Sequence, residues 1–222
     1  MKKAILFDLD GTLADTLEDI RYAINHVLKE VNCREIDEEE CRSVVGRGLR
    51  NAIRGALWFS NVAYESDEIE ILYHDLMVCY SQHPCDATKP YDGIIDMLLR
   101  LKAKGFILGV LSNKSDELVI KIIDKIFPPS LFSYVHGMRE NIPPKPDPYG
   151  ILEFASIYKL KDNEILYIGD SEVDYETINN LKGLEGAIVT WGFRSKEMLI
   201  EAGVSPLIDN INELEEYLNA AK

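Results

Sequence analysis

The hydrophobic pattern divides this chain into two kinds of segment. From residue 93 onward, short runs of consecutive apolar residues alternate with stretches in which apolar residues recur every three or four positions. A short apolar run is typical of a buried strand, and the three-to-four spacing is typical of an amphipathic helix. Their alternation predicts a parallel β-sheet covered by helices on both faces.

The first predicted strand lies near the start of the chain, and the others lie between the later helices. The strands are predicted at Ala4–Phe7, Phe106–Leu111, Tyr134–His136, Ile165–Ile168 and Ala187–Thr190. The helices are predicted at Ile94–Lys104, around Val119–Ile123, and at Tyr149–Tyr158, Tyr175–Leu181, Lys196–Ala202 and Ile211–Leu218. Gly105 is expected to end the first of these helices, and Asp116 to cap the second.

Residues 15–87 show helical periodicity without a convincing strand. Helices are predicted there at Leu17–Val31, Glu38–Val45, Leu49–Phe59 and Glu68–Ser81. The segment Asp15-Thr16-Leu17-Glu18 predicts an N-terminal cap for the first of them. The sequence therefore predicts an α/β core formed by residues 1–14 and 88–222, with a helical domain of residues 15–87 inserted into it. The 222 residues are enough to bury a core without disulfides or metals.

Composition and charge narrow the functional classes. Hydrophobic residues make up 46% and charged residues 28% of the chain, which is ordinary for a globular enzyme. The net charge of −14 argues against nucleic acids and anionic membranes as partners. The four cysteines form no Cys-x-x-Cys pair and are expected to be reduced thiols. With no signal-peptide pattern and no apolar run long enough for a membrane span, we expect a cytoplasmic protein.

Two aspartates directly follow the first apolar strand. Asp8 and Asp10 stand one residue apart and are followed by Gly11 and Thr12. Two like charges about 4–6 Å apart repel by about 3 kcal/mol at an effective dielectric constant near 20. The pair makes sense if a cation binds between them, or if one carboxylate is a nucleophile and the other transfers protons. Turn formation by an Asp-x-Asp-Gly sequence is the alternative interpretation.

Further polar side chains are expected at the carboxyl ends of the other strands. In open parallel sheets, ligands bind at this edge of the sheet. The residues expected there are Ser112, Asn113, Lys145, Asp170 and Asp174. Each alone could be a turn residue, a helix cap or a solvated side chain. Together, carboxylates suit a hard divalent cation, and a hydroxyl with an ammonium suits a phosphoryl group.

These segments resemble the motifs of the haloacid dehalogenase-like phosphatase superfamily. The first is Asp8-Leu9-Asp10-Gly11-Thr12, the second Ser112 after Gly109-Val110-Leu111, and the third Lys145 between two prolines. The fourth is Gly169-Asp170-Ser171-Glu172-Val173-Asp174. The resemblance extends over essentially the full length. It implies a three-layer, Rossmann-like core with a parallel sheet and an inserted all-helical cap domain.

The resemblance also implies a role for each motif residue. Asp8 would form an aspartyl-phosphate, and Asp10 would protonate the leaving oxygen and later activate water. Mg²⁺ would be held by Asp8, the backbone carbonyl of Asp10, and Asp170, with Asp174 acting directly or through water. Lys145 would be catalytic by neutralising the charge of the nucleophile and of the transferring group. The residues implied to bind the substrate at this edge are Thr12, Ser112 and Asn113.

Within the superfamily, the chain resembles the phosphoglycolate phosphatase subgroup. The resemblance lies in residues 44–49, 189–193 and 201–204. Arg47 would reach the substrate when the cap closes, although a solvated loop arginine is the alternative. Two departures are residues 175–180, where relatives usually carry small residues, and Asp92, where proline is common.

The expected substrate is a small phosphorylated metabolite, first of all 2-phosphoglycolate, and the expected assembly is a monomer or a homodimer. A pyrophosphatase, a nucleotidase and a sugar-phosphate mutase are alternatives within the same superfamily. From other classes, a phospho-aspartate receiver module and a catalytically silent binding protein are also considered.

Overall fold

The structure is a computed structural model that describes residues 1–62 and 64–220. The strands are β1 (Ala4–Phe7), β2 (Ala14–Asp15), β3 (Lys89–Pro90), β4 (Ile107–Ser115), β5 (Tyr134–Met138), β6 (Ile165–Gly169), β7 (Glu185–Val189) and β8 (Leu207–Ile208). The α-helices are α1 (Leu17–Glu30), α2 (Glu38–Val44), α3 (Leu49–Trp58), α4 (Ser66–Gln82), α5 (Ile94–Ala103), α6 (Asp116–Ile126), α7 (Tyr149–Tyr158), α8 (Glu172–Asn179), α9 (Lys196–Glu201) and α10 (Ile211–Ala220).

The main sheet is parallel and has the strand order β5-β4-β1-β6-β7-β8. β1 lies between β4 and β6, and Phe7 is in register with Val110 on one side and Ile168 on the other. The strand order reverses at β1, because the chain first adds β4 and β5 on one side and then returns to add β6 on the other. This arrangement places the segment after Phe7 at the switch point, where open α/β sheets bind ligands.

Side chains of β1 alternate between two apolar cores. Ile5 and Phe7 pack in a core that includes residues of α5, α6 and α10. Ala4 and Leu6 face the other side, in a core that includes residues of α7, α8 and α9. A strand buried on both faces is uniformly apolar, which explains the run Ala-Ile-Leu-Phe. The predicted three-layer parallel α/β fold is confirmed.

Helices α1–α4 pack around a separate apolar core that also contains Leu118 and Phe193. The short antiparallel pair β2–β3 joins the chain where it enters and leaves these helices. Asp19 of α1 adds a second connection, since its buried carboxylate accepts hydrogen bonds from the backbone N–H groups of Ala87 and Thr88 and from the Thr88 hydroxyl. The domain limits at residues 14/15 and 87/88 stay a prediction.

The predicted cap of α6 is wrong, and the predicted cap of α1 involves Asp15 rather than Thr16. The Asp15 carboxylate accepts a hydrogen bond from the N–H of Leu17 at 3.3 Å, while the Thr16 hydroxyl donates to Asp10 at 2.6 Å. Asp116 is the first residue of α6 rather than its cap, and its carboxylate accepts a hydrogen bond from the N–H of Gly137 and pairs with Arg139. Asp116 binds Gly137 and Arg139, which are distant in sequence, instead of a local backbone N–H, and a local pattern cannot reveal this.

Some element boundaries also differ from the prediction. β4 continues through Ser112 to Ser115, because its last residue pairs with Met138 of β5 after a shift in register. α8 begins at Glu172, three residues earlier than predicted, with Ser171 and Asp174 forming a capping box. The short strand β8 was not predicted.

The four cysteines are free thiols. Within the described residues, every helix is too short or too polar to cross a membrane.

Candidate active site

The carboxyl ends of β1, β4 and β6 open into one cavity of about 520 Å³. This volume includes space that is open to solvent. The sheet edge supplies polar groups to the cavity, and the helical part of the chain supplies an apolar roof. From the sheet edge come Asp8, Asp10, Ser112, Lys114 and Asp170; from the roof come Ile20, Val45, Leu49 and Ala52.

Lys145 connects two of the predicted carboxylates. Its Nζ lies 3.0 Å from Oδ1 of Asp8 and 2.7 Å from Oδ1 of Asp174, and all three side chains are buried. Burial raises the pKa of Asp8 to about 7, although Lys145 acts in the opposite direction. Burial alone would lower the pKa of Lys145, but Asp174 and Asp8 raise it above its usual value. The lysine therefore remains charged beside Asp8.

Asp174 is satisfied by neighbouring hydrogen-bond donors. Its Oδ1 accepts from Lys145 and from the Tyr167 hydroxyl at 2.9 Å, and its Oδ2 accepts from the Ser171 hydroxyl at 2.7 Å. Burial would raise the pKa of Asp174, but Lys145 and these hydrogen bonds hold it below its usual value. Gly169 allows the close approach, because a Cβ atom there would lie 2.2 Å from Cγ of Asp174. Asp174 is thus an ionised support for the lysine.

Asp170 completes a carboxylate cluster that fits a cation. Ligand oxygens of Asp8, Asp170 and Asp174 all lie within 4.8 Å of one another. Burial and the charges of Asp174 and Asp8 raise the pKa of Asp170 well above its usual value. Such crowding is costly for three buried carboxylates with one lysine, and a divalent ion would relieve it. Gly11, at φ +79°, leaves room for this cluster, since a Cβ atom there would lie 2.2 Å from Oδ2 of Asp170.

Asp10 points away from this cluster and contacts Lys114. The Lys114 Nζ lies 2.7 and 2.9 Å from the two oxygens of Asp10, and Thr16 donates to the same carboxylate. Lys114 is buried and lies 4.8 Å from the ring centroid of Tyr80, a residue of α4. The two aspartates of the first motif therefore have different partners, which agrees with their different predicted roles.

The remaining predicted substrate contacts are spread more widely. Ser112 lines the cavity. Asn113 also lines it, but its side chain binds the backbone of Lys145, accepting from N–H at 2.8 Å and donating to the carbonyl at 3.0 Å. The Thr12 hydroxyl is buried without a hydrogen-bond partner within the described residues. Arg47 is half exposed and lies 3.8–3.9 Å from Glu176 and Glu172. Their roles toward a substrate stay predictions.

Sequence reasoning missed several groups that complete the site. Tyr167 lies within the apolar strand β6, yet its hydroxyl accepts from Lys145 at 3.0 Å and donates to Asp174. Lys114 follows Ser112 and Asn113 directly, so its position near a strand end was a usable signal. The loop after β7 supplies the N–H of Phe193, which donates to Asp170 at 2.8 Å, and the guanidinium of Arg194, which lines the cavity. No local pattern marks either group.

Comparison with known proteins agrees with this geometry. The family model of the haloacid dehalogenase-like hydrolases matches residues 5–182. A phosphoglycolate phosphatase of Aquifex aeolicus (strain VF5) is 32% identical, with 86% of each chain covered. An N-acetylmuramic acid 6-phosphate phosphatase of Pseudomonas aeruginosa is 30% identical over 99% of this chain and 96% of its own.

A solved structure gives the same answer for the fold. A protein of Lactobacillus delbrueckii subsp. bulgaricus, provisionally named a phosphoglycolate phosphatase, superimposes with a TM-score of 0.91 at 29% identity. The superposition covers 98% of this chain and 99% of the other. The motifs, the fold and the matched relatives lead to one conclusion: the chain belongs to the haloacid dehalogenase-like hydrolase family.

Proposed function

We propose that this phosphatase hydrolyses a small phosphomonoester, first of all 2-phosphoglycolate, through a phosphorylated Asp8. The observation that carries the proposal is the convergence of Asp8, Asp10, Ser112 and Asp170 on one cavity, with Lys145 beside Asp8. Family membership removes the ground for a receiver-type module. The ion pair of Asp8 and Lys145 beside the cavity also argues against a catalytically silent binding protein.

The first half of the reaction is a transfer to Asp8. An oxygen of Asp8 attacks phosphorus, the bond to the leaving oxygen breaks, and Asp10 donates a proton to that oxygen. Lys145 stabilises the negative charge on Asp8 and on the transferring group. Ser112 and adjacent backbone N–H groups bind phosphoryl oxygens. Asp174 and Tyr167 keep Lys145 in position through their hydrogen bonds.

The second half returns Asp8 to its free form. Asp10 takes a proton from a water molecule, the water oxygen attacks phosphorus, and the bond between phosphorus and Asp8 breaks. Inorganic phosphate leaves, and both aspartates regain their starting states. For these two proton transfers, Asp10 must be able to leave its contacts with Lys114 and Thr16. Lys114 lines the same cavity.

Mg²⁺ is the proposed cofactor, because the donor set consists of carboxylate oxygens, which hard cations prefer. Asp8 and Asp170 would hold it together with the backbone carbonyl of Asp10. Asp174 would support these ligands indirectly, since its oxygens already accept other hydrogen bonds. When bound, the ion would supply positive charge beside the phosphoryl group and favour the ionised form of Asp8.

The substrate is tested by phosphate release in the presence of Mg²⁺. The panel contains 2-phosphoglycolate, N-acetylmuramic acid 6-phosphate, pyrophosphate and nucleoside monophosphates. A β-hexose 1-phosphate is added with product analysis, to detect a mutase. We expect the highest kcat/KM for 2-phosphoglycolate. A higher kcat/KM for any other compound would reject this substrate assignment, even if the phosphatase activity itself were present.

A further inference from the structure

The loop after β7 connects the core to the helical part of the chain through one arginine. Arg194 is 8% exposed. Its Nη1 donates to the carbonyl of Arg42 at 2.5 Å, and its Nη2 donates to the carbonyl of Val45 at 2.8 Å. On the other side, its Nε donates to Glu172 of the core at 3.0 Å. A single guanidinium thus links the two parts of the chain.

The two carbonyls belong to the C-terminal end of α2. The last carbonyls of a helix lack intrahelical partners and carry partial negative charge, so a buried cation is favourable there. The planar guanidinium donates in several fixed directions, which a lysine ammonium cannot reproduce. Val45 and the adjacent Gly46 line the cavity. Arg194 itself also lines the cavity, and its bonds to the two carbonyls connect it to the roof.

The neighbours of Arg194 strengthen the same connection. The Phe193 side chain is buried in the core formed by α1–α4, while its N–H donates to Asp170 at 2.8 Å. From the helical part, Arg42 donates to the carbonyl of Gly192 at 3.3 Å. Residues 192–194 therefore contact both the Asp170 carboxylate and the roof of the cavity.

We propose that Arg194 is a positioning residue that keeps the helical domain closed over the carboxylate site. It contacts the roof through two backbone carbonyls, so its action does not depend on the identity of the roof side chains. Loss of this contact increases the population of an open form that binds substrate poorly. Apparent affinity falls in proportion to the closed fraction, while the closed complex turns over as before.

The variants are Arg194→Gln, which loses the charge and the planar set of N–H donors, and Arg194→Lys, which keeps the charge but loses that set of donors. The matched control is Arg100→Gln. Arg100 donates to Glu215 at 2.9 and 2.6 Å, so it also loses paired hydrogen bonds. It lies near the end of α5, which leads into the start of β4, and is therefore at the sheet edge opposite the cavity.

The primary readout is backbone hydrogen–deuterium exchange, which needs no substrate. We expect the amides of residues 42–49 to exchange about tenfold faster in Arg194→Gln than in the wild type and in Arg100→Gln. Arg194→Lys should give an intermediate rate. Equal exchange of this segment in Arg194→Gln and the wild type would overturn the proposal. If Arg194→Gln does not fold, Arg194→Lys decides on the same criterion.

The kinetic readout rests on the proposed function. With the best substrate of the panel, we expect Arg194→Gln to raise KM about tenfold and to leave kcat within about twofold. A purely structural role would instead lower kcat through loss of folded enzyme and leave KM unchanged, which would count against the proposal. If no compound is hydrolysed, the proposed function fails, and the exchange rates still decide on Arg194.

Discussion

At the level of single residues, the first motif combines two aspartates in unlike surroundings. Asp8 is buried against Lys145, and Asp10 is held by Lys114 and Thr16. The sequence shows only their spacing. The difference arises from β4 and from the loop after β5, which bring separate lysines to the two carboxylates. These unlike surroundings support the proposed division of roles, with Asp8 as nucleophile and Asp10 as proton carrier.

The metal-free protein should become less stable as pH rises, because of Asp8. Its pKa is raised from 3.8 to about 7 by burial, so the folded state holds a proton that the unfolded state has lost between these values. The free energy of unfolding therefore falls across this window. In EDTA at pH 8, Asp8→Asn should be more stable than the wild type by about 1 kcal/mol or more.

Urea denaturation at pH 4 and pH 8 measures this difference. The stabilising effect of Asp8→Asn should shrink toward pH 4, where the wild-type carboxyl is protonated in the folded state. Asp92→Asn, an exposed change outside the site, serves as the control. A stabilisation that is equal at both pH values would show that the charge of Asp8 is not its cause.

Lys114 should be more important for stability than a lysine on the surface. Its ammonium is buried between Asp10 and the ring of Tyr80, and Lys114→Met leaves Asp10 without its charge partner. Removal of one member of a buried pair is expected to cost about 3 kcal/mol. Lys121→Met, which breaks an exposed pair with Glu117, should cost less than about 0.5 kcal/mol. Equal costs in urea denaturation would contradict this role.

At the level of helices and strands, the two connections between core and helical part are held together by Asp19. Asp19→Ala leaves the N–H groups of Ala87 and Thr88 without their buried acceptor. We expect the free energy of unfolding to fall by about 2–4 kcal/mol. Glu18→Ala, one position earlier, removes an exposed pair with Arg21 and should change it by less than about 0.5 kcal/mol. A similar effect of both variants in urea denaturation would refute the role of Asp19.

The sequence predicts the elements that have a strong local pattern. β1, α7 and the four helices of residues 15–87 lie where apolar spacing indicates them, since burial of one face fixes that spacing. It does not predict the contacts of Asp116 or the role of Tyr167. Both side chains bind groups that are distant in sequence, and an apolar strand residue has no local mark of a polar contact. Asp19 and Arg194 were missed for the same reason.

For the molecule as a whole, stability should depend on a divalent cation. Ligand binding to the folded state stabilises it by about 2.7 kcal/mol at a hundredfold excess over Kd. For a chain of this size, Mg²⁺ at that excess should then raise Tm by about 5–10 °C. Asp170→Asn should abolish the rise. Asp162→Asn, at the opposite end of β6, should retain it. A Mg²⁺-dependent rise in Asp170→Asn equal to that of the wild type would contradict the site.

The central claim, phosphoryl transfer through Asp8, is tested most directly by phosphate release from 2-phosphoglycolate by the wild type and Asp8→Asn. Each is assayed with Mg²⁺ and with EDTA, after circular dichroism has shown that both are folded. We predict Mg²⁺-dependent release by the wild type, and a rate lower by about 10³-fold or more in Asp8→Asn. Comparable rates in the two proteins, or no release by the wild type from any phosphomonoester, would contradict the account.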